Sequence, residues 1–396
     1  MCGRILLSLL TLAVAVFGAL YALYFQPLIV MGGRGRVIEP VANSKCAKDK
    51  SIQACEKLVL HEPSGLVYMA CSMPHLRSLW LPNHGLLNKT GAGFDYLAVY
   101  NPATESASRV PLVRFAPSPE PVPSGGTGLS VLGLDVVSSG DPENPHEVFV
   151  YVVNNRPPAG NAWAFGPNSV VEIFKGEAGK SLKHVATVRD PLIGIPNDVL
   201  GSPDGKSFWI TNDKKKGSLQ RGLDIIFGRP STTVTFCRVD EGCKTAARNL
   251  RSSNGIAKGP QGEIYVTSTY TSQIYVFEAQ ADDTLVLTDT IPIGGGGLDN
   301  LSVDSEGSIY VAEYPKVFHA HYRHLENPKI LSPSAVLKIS LNTDESAYYG
   351  QKYKIEKIFE DDGKVANGVT TAAYDKERNK LYMHGIASPA FLNCEL

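Results

Sequence analysis

Pro196-Asn197-Asp198-Val199, the turn Ser202-Pro203-Asp204-Gly205 and the run Ser207-Phe208-Trp209-Ile210-Thr211 together decide the fold, because the chain repeats them. Ser253-Asn254-Gly255-Ile256 leads through Gly259-Pro260-Gln261-Gly262 to Glu263-Ile264-Tyr265-Val266-Thr267. Leu298-Asp299-Asn300-Leu301 leads through Asp304-Ser305-Glu306-Gly307 to Ser308-Ile309-Tyr310-Val311-Ala312. Weaker copies at 54–72, 132–155 and 366–385 bring the number to six. Short β-branched and aromatic runs bounded by Pro, Asp and Gly turns read as antiparallel strands. Self-similarity of this kind, all in strand, predicts an all-β fold, a six-bladed β-propeller with one copy per blade.

In a propeller the innermost strand of each blade lines the central tunnel. A polar residue recurring at equivalent blade starts therefore faces one axial point. Those positions hold Glu56, Asn197, Asn254, Asp299 and Asn300. Carboxylate and amide oxygens without His or Cys suit calcium, and two carboxylates balance a divalent charge.

The flanks carry a different message. Residues 5–31 are apolar apart from Ser8, Thr11, Gln26 and small residues. That stretch is long enough to span a bilayer and longer than the apolar part of a cleaved signal peptide. It predicts an N-terminal hydrophobic helix, an uncleaved signal-anchor, with the chain divided into 1–36 (anchor and flank) and 37–396 (propeller). The alternative is a secreted protein. Lys and Arg number 38 against 39 Asp and Glu, net −1, which leaves no electrostatic footprint for nucleic acid. The basic run at 214–216 reads as a solvated loop. Six cysteines follow the apolar segment: Cys46, Cys55, Cys71, Cys237, Cys243 and Cys394. Behind an export signal they predict disulfides, of which only a Cys237–Cys243 bridge across a turn-like stretch has a local signal. Asn88-Lys89-Thr90 is a glycosylation sequon. Both features place the propeller on the luminal or extracellular side of a secretory-pathway or cell-surface membrane. His319, His321 and His324 read as a surface loop, the glycines at 294–297 precede a strand rather than a helix, and no Gly-x-Ser-x-Gly elbow marks a serine hydrolase.

Segments 196–213, 253–256 and 298–304, with Cys394-Glu395-Leu396 at the end, resemble the serum paraoxonase/arylesterase family. The resemblance runs from about Cys46 to the end of the chain. It implies a six-bladed propeller with axial calcium that hydrolyses lactones, aryl esters and organophosphate triesters, related to gluconolactonase-type propellers. It implies that Glu56, Asn197, Asn254, Asp299 and Asn300 hold the catalytic calcium and that Asp198 holds a second, structural ion. It also implies a Cys46–Cys394 bridge closing the ring, which leaves Cys55 and Cys71 as the third pair. Asn300-Leu301-Ser302 is formally a sequon, but a buried ligand stays unglycosylated.

Four departures from the family pattern matter. Lys57 replaces a carboxylate of the second calcium, so Lys57 is expected to pair directly with Asp198. Leu132 and Asn155 stand where the family has its two active-site histidines, and Tyr314 stands at a third. With no imidazole, the water-activating base falls to Asp299 or Glu56, with Glu313 a further candidate. The reading is a calcium-dependent lactonase or arylesterase acting on a small hydrophobic lactone or ester beside the membrane. The alternative is a non-catalytic, calcium-stabilised propeller serving as a binding module.

Overall fold

The computed structural model describes residues 2–115, 124–214 and 228–396. The basic run at 214–216 falls largely outside the described residues. Six sheets of four or five strands succeed one another along the chain, antiparallel but for the outermost strand of the five-stranded one, Leu112–Val113, which runs parallel to its neighbour. Their innermost strands are Lys57–His61, Val131–Ser138, Ile195–Gly201, Ser253–Lys258, Gly297–Val303 and Thr371–Asp375. Each touches the next and the sixth touches the first, so the ring is closed around an axis. We number the blades 1 to 6 in that order. Cores of Val, Ile, Leu and aromatic side chains fill the spaces between neighbouring blades, as sheets stacked face to face require.

Blade 6 is made from both ends of the chain. Cys46–Asp49 pairs antiparallel with Phe391–Glu395, with Cys46 opposite Cys394. The Cys46–Cys394 disulfide locks that pairing over 348 residues, a loop whose closure is worth on the order of 5 kcal/mol. Cys55–Cys71 and Cys237–Cys243 are bonded as well. Each joins neighbouring antiparallel segments within one blade.

A helical rod precedes the propeller: Cys2–Leu20, a wider turn at Tyr21–Phe25, then Gln26–Met31. Leu7–Met31 is apolar over 25 residues, with mean hydropathy 2.0. At 1.5 Å per residue it reaches about 37 Å, more than a hydrocarbon core needs. Its foot is fixed to the propeller. Met31 is buried against Tyr270, Tyr314, Val317 and Ala320, with Leu28 and Phe318 alongside. Arg36 then forks onto both oxygens of Glu313, at 2.8 and 2.9 Å, and reaches Glu360 at 3.1 Å.

The histidine stretch departs from expectation. It is not a surface loop but two short helical turns, Val317–His319 and Ala320–His324, with His321 and His324 buried. Val317, Ala320 and His321 fall on one side of these turns, covered by Tyr270, Tyr314 and the foot of the N-terminal helix.

Candidate functional site

Each metal-end dipeptide sits on a break in its ladder. Pairing between the first two strands slips between Pro196 and Val199 in blade 3, between Ser253 and Ile256 in blade 4, and between Leu298 and Leu301 in blade 5. A bulge adds a residue on one strand and re-aims side chains, here turning Asn197, Asn254 and Asp299 into the tunnel. Threonines of the second strands brace these bulges. Thr211 Oγ1 accepts from Asp198 N at 3.1 Å and donates to Asn254 O. Thr267 Oγ1 accepts from Gly255 N at 2.8 Å and donates to Asp299 O at 2.8 Å. Gly133 and Gly255 let the strands close in: a Cβ there would lie 2.4 Å from Asp198 Cα or 2.8 Å from Asn300 Cα.

Glu56, Asn197, Asn254 and Asp299 line one small chamber, and Asn300 joins them by donating from Nδ2 to Glu56 Oε1 at 2.7 Å. Four buried oxygens of this set have no hydrogen-bond donor: Glu56 Oε2, Asn197 Oδ1, Asn254 Oδ1 and Asn300 Oδ1. An unsatisfied buried polar group costs about 1–3 kcal/mol, so four rival the whole stability of a typical domain. A cation with hard oxygen ligands removes that cost, and these residues fit calcium. Burial pushes the carboxyl of Glu56 up to about 8, with the charges of Asp299 and Asp198 adding repulsion, and that of Asp299 up to about 7, with Asp198 adding repulsion. A divalent charge in the chamber reverses both displacements. Among the described residues no group of three His, Cys, Asp or Glu is gathered for a metal; amides supply three of the five residues in this set.

The second ion's place is taken. Lys57 Nζ lies 2.6 Å from Asp198 Oδ2, both buried, and also reaches Leu301 O at 3.4 Å. The carboxylate is completed by Ile256 N on Oδ2 and Val199 N on Oδ1, each at 2.9 Å. Asp198 therefore has no oxygen left without a donor, and its expected role as a structural-calcium ligand passes to a partnership with the ammonium.

The positions that lack the family's histidines have been repurposed. Leu132 packs with Leu81, Leu325 and Ile386. Asn155 accepts from Ser169 Oγ at 2.8 Å and donates to Asn83 Oδ1 at 3.1 Å, which holds the loop at 82–87 in place. Tyr314 hydrogen-bonds Asp299, and burial beside that carboxylate drives its phenol well above the ordinary value, so it stays a donor. Glu313 is no base: Arg36 grips both its oxygens and Gly296 N donates to it at 2.6 Å.

Two histidines that sequence reasoning passed over do line the chamber, His84 and His321. Their rings meet edge to face with centroids 4.6 Å apart, and Tyr270 O–H lies 2.8 Å from His321 Nδ1. The helical spacing of His321 from Val317 and Ala320 was its available signal; nothing local marks His84. The chamber they close holds 20 Å³, room for one ion or water. Asn88 is exposed, its Oδ1 accepting from Thr90 N and Oγ1.

Mechanosensory abnormality protein 6 of Caenorhabditis elegans is 24% identical over 283 residues, 67% of this chain and 65% of that protein. The match thus spans a little under two thirds of that relative's length. A gluconolactonase from Xanthomonas campestris is 13% identical, covering 91% of this chain and 98% of its own at a TM-score of 0.48. A luciferin-regenerating enzyme is 12% identical, covering 91% and 95% at a TM-score of 0.48. The family profile described as Arylesterase matches residues 135–396, more than half of the chain and all but one of the tunnel oxygen donors. The chain belongs to the arylesterase family, the paraoxonase-type propellers.

Proposed function

We propose that this protein is a calcium-dependent hydrolase of small lactones or aryl esters, held at a membrane by its N-terminal helix with the propeller on the luminal or extracellular side. The observation that carries the reading is the set of four donorless buried oxygens on Glu56, Asn197, Asn254 and Asn300. When bound, the cation would polarise the ester carbonyl and offset the charge of its oxyanion. The chain's own residues supply the rest. Asp299, or failing it Glu56, takes the proton of the attacking water, and the Tyr314 hydroxyl orients Asp299 for it. His321, oriented by Tyr270, and His84 shield the chamber from bulk water. Three disulfides and the exposed Asn88 sequon support the oxidising side of the membrane.

A second reading is favoured by one observation. A chamber of 20 Å³ admits no ester unless the loop at 82–87 and the turns at 317–324 part. A propeller that never opens there is a calcium-stabilised binding module. The test is an assay of the full chain in lipid nanodiscs against γ- and δ-lactones and aryl esters, with and without a calcium chelator. Chelator-sensitive turnover that Asn254→Ala abolishes supports the hydrolase. Absence of turnover, with a melting temperature that still falls on chelation, refutes it and leaves the binding module.

A further inference from the structure

At the opposite mouth of the tunnel the innermost strands enclose a second and larger cavity, of 370 Å³. That volume is in the range of sites that hold a small organic molecule. Every blade contributes to its wall, and the layer of Lys57 and Asp198 separates it from the metal chamber. Leu60, Val136, Trp209 and Tyr310 make much of the wall apolar. Trp209 is held in place: its indole N–H reaches Asp283 O at 3.4 Å, and its ring packs on Phe236 with centroids 4.9 Å apart.

The charges in this cavity do not balance. Lys57 is engaged by Asp198 and leaves little positive charge free. Asp135 stands beside it with no ion-pair partner among the described residues, and faces the cavity. Its carboxylate is fixed by backbone donors from two blades, Val136 N at 2.9 Å on Oδ1 and Gly201 N at 2.8 Å on Oδ2. Gly201 permits that approach because a Cβ would lie 2.1 Å from the Tyr151 ring. Asp304 and Glu62 add two more carboxylates without a basic partner among the described residues, against the single exposed Lys258. Burial pushes Asp135 up to about 6, with the Asp198 charge adding repulsion, against the pull of the two backbone donors and of Lys57.

We propose that this cavity is a binding site for a small apolar molecule bearing one amine, its ammonium on Asp135 and its apolar body against Leu60, Trp209 and Tyr310. An ammonium adds a charge-assisted hydrogen bond to a carboxylate already held in position, and the aromatic wall favours a cation as well. The site lies at the other end of the tunnel from the proposed calcium and does not rest on catalysis.

The test uses the full chain in lipid nanodiscs, with empty nanodiscs as blanks, and isothermal titration calorimetry. The probes are 2-naphthylmethylamine, the neutral 2-naphthylmethanol and the anionic 2-naphthoate. The amine is expected to bind at least about tenfold tighter than the alcohol, the value of one charge-assisted hydrogen bond, and the naphthoate weakest of the three. Asp135→Asn brings the amine down to the alcohol. Ala257→Trp, which fills the cavity from its half-buried wall, abolishes binding of both. A calcium chelator leaves the amine's affinity unchanged, so failure of ester hydrolysis and failure of this site are read separately. Equal affinity for amine and alcohol, binding that survives Ala257→Trp, or binding lost to the chelator would each overturn the proposal.

Discussion

Replacing Lys57 with methionine removes an ammonium and keeps the length of the stem. Asp198, fully buried, then retains Val199 N and Ile256 N but loses its only cation at 2.6 Å. Breaking a buried ion pair from one side costs about 3–5 kcal/mol, because the remaining charge stays out of water. Over a propeller of about 360 residues, at about 2.1 cal/mol/K per residue, that is a fall in Tm of about 4–7 °C. Differential scanning fluorimetry of the full chain in saturating calcium reads it directly. Lys57→Asp sharpens the test. In chelator it places two carboxylates side by side and melts lower than the methionine variant. In calcium it recovers, and elemental analysis finds one more ion per chain than in the unaltered protein. A methionine variant that melts within a degree of the parent would refute the idea that this pair stands in for a metal.

His384 gives a pH signature. Its Nδ1 accepts from Gly385 N at 2.8 Å and its Nε2 faces Ile52 O at 3.2 Å, so the ring is held neutral and burial pushes it down to about 4. The unfolded chain takes that proton near 6.5, so this contribution is complete above pH 6.5 and is lost as pH falls towards 4, by about 3 kcal/mol in all. Denaturant midpoints measured from pH 7 to 4 should show the slope, and His384→Gln should flatten it. Asn88 is exposed and Asn300 is fully buried. An endoglycosidase should therefore increase the gel mobility of the protein from a secretory host, and Asn88→Gln alone should abolish that change.

The propeller was legible because its determinants are local. A bulged polar dipeptide, a Pro/Asp/Gly turn and a β-branched strand lie within about twenty residues of one another, and the chain writes them out repeatedly. The Lys57–Asp198 pair was legible for a different reason: a reversed charge opposite a retained carboxylate has few other places to go. What stayed hidden depends on distant packing. Glu313 looks like an exposed base until Arg36, 277 residues away, is seen gripping it. His321 looks like loop decoration until the helix foot covers the turn that carries it. The size of the chamber was equally unreadable, since it is set by Asn155 and Asn83 bridging two blades at 3.1 Å, a contact between residues 72 apart in sequence.

The helix foot has a consequence that truncation exposes. Tyr314 joins the two: its hydroxyl bonds Asp299 in the chamber, and its ring belongs to the apolar cluster that buries Met31 at the foot of the N-terminal helix. Tyr270 does the same, with Met31 on one side and His321 on the other. A chain beginning at Gly35 keeps Arg36 and its grip on Glu313 but loses Met31 and Leu28. Burying one methionine is worth about 1.5–3 kcal/mol, so the truncated propeller should melt about 2–4 °C lower. The loss falls on the two tyrosines that brace the chamber rather than on a remote surface. The truncated chain should therefore also bind calcium more weakly than the full chain, read by competition with a chelating dye. The substitution Met31→Ser in the full chain should reproduce both effects with the apolar helix still present. If truncation leaves both melting and calcium affinity unchanged, the N-terminal helix is only an appendage, and the contact at Met31 does nothing for the chamber.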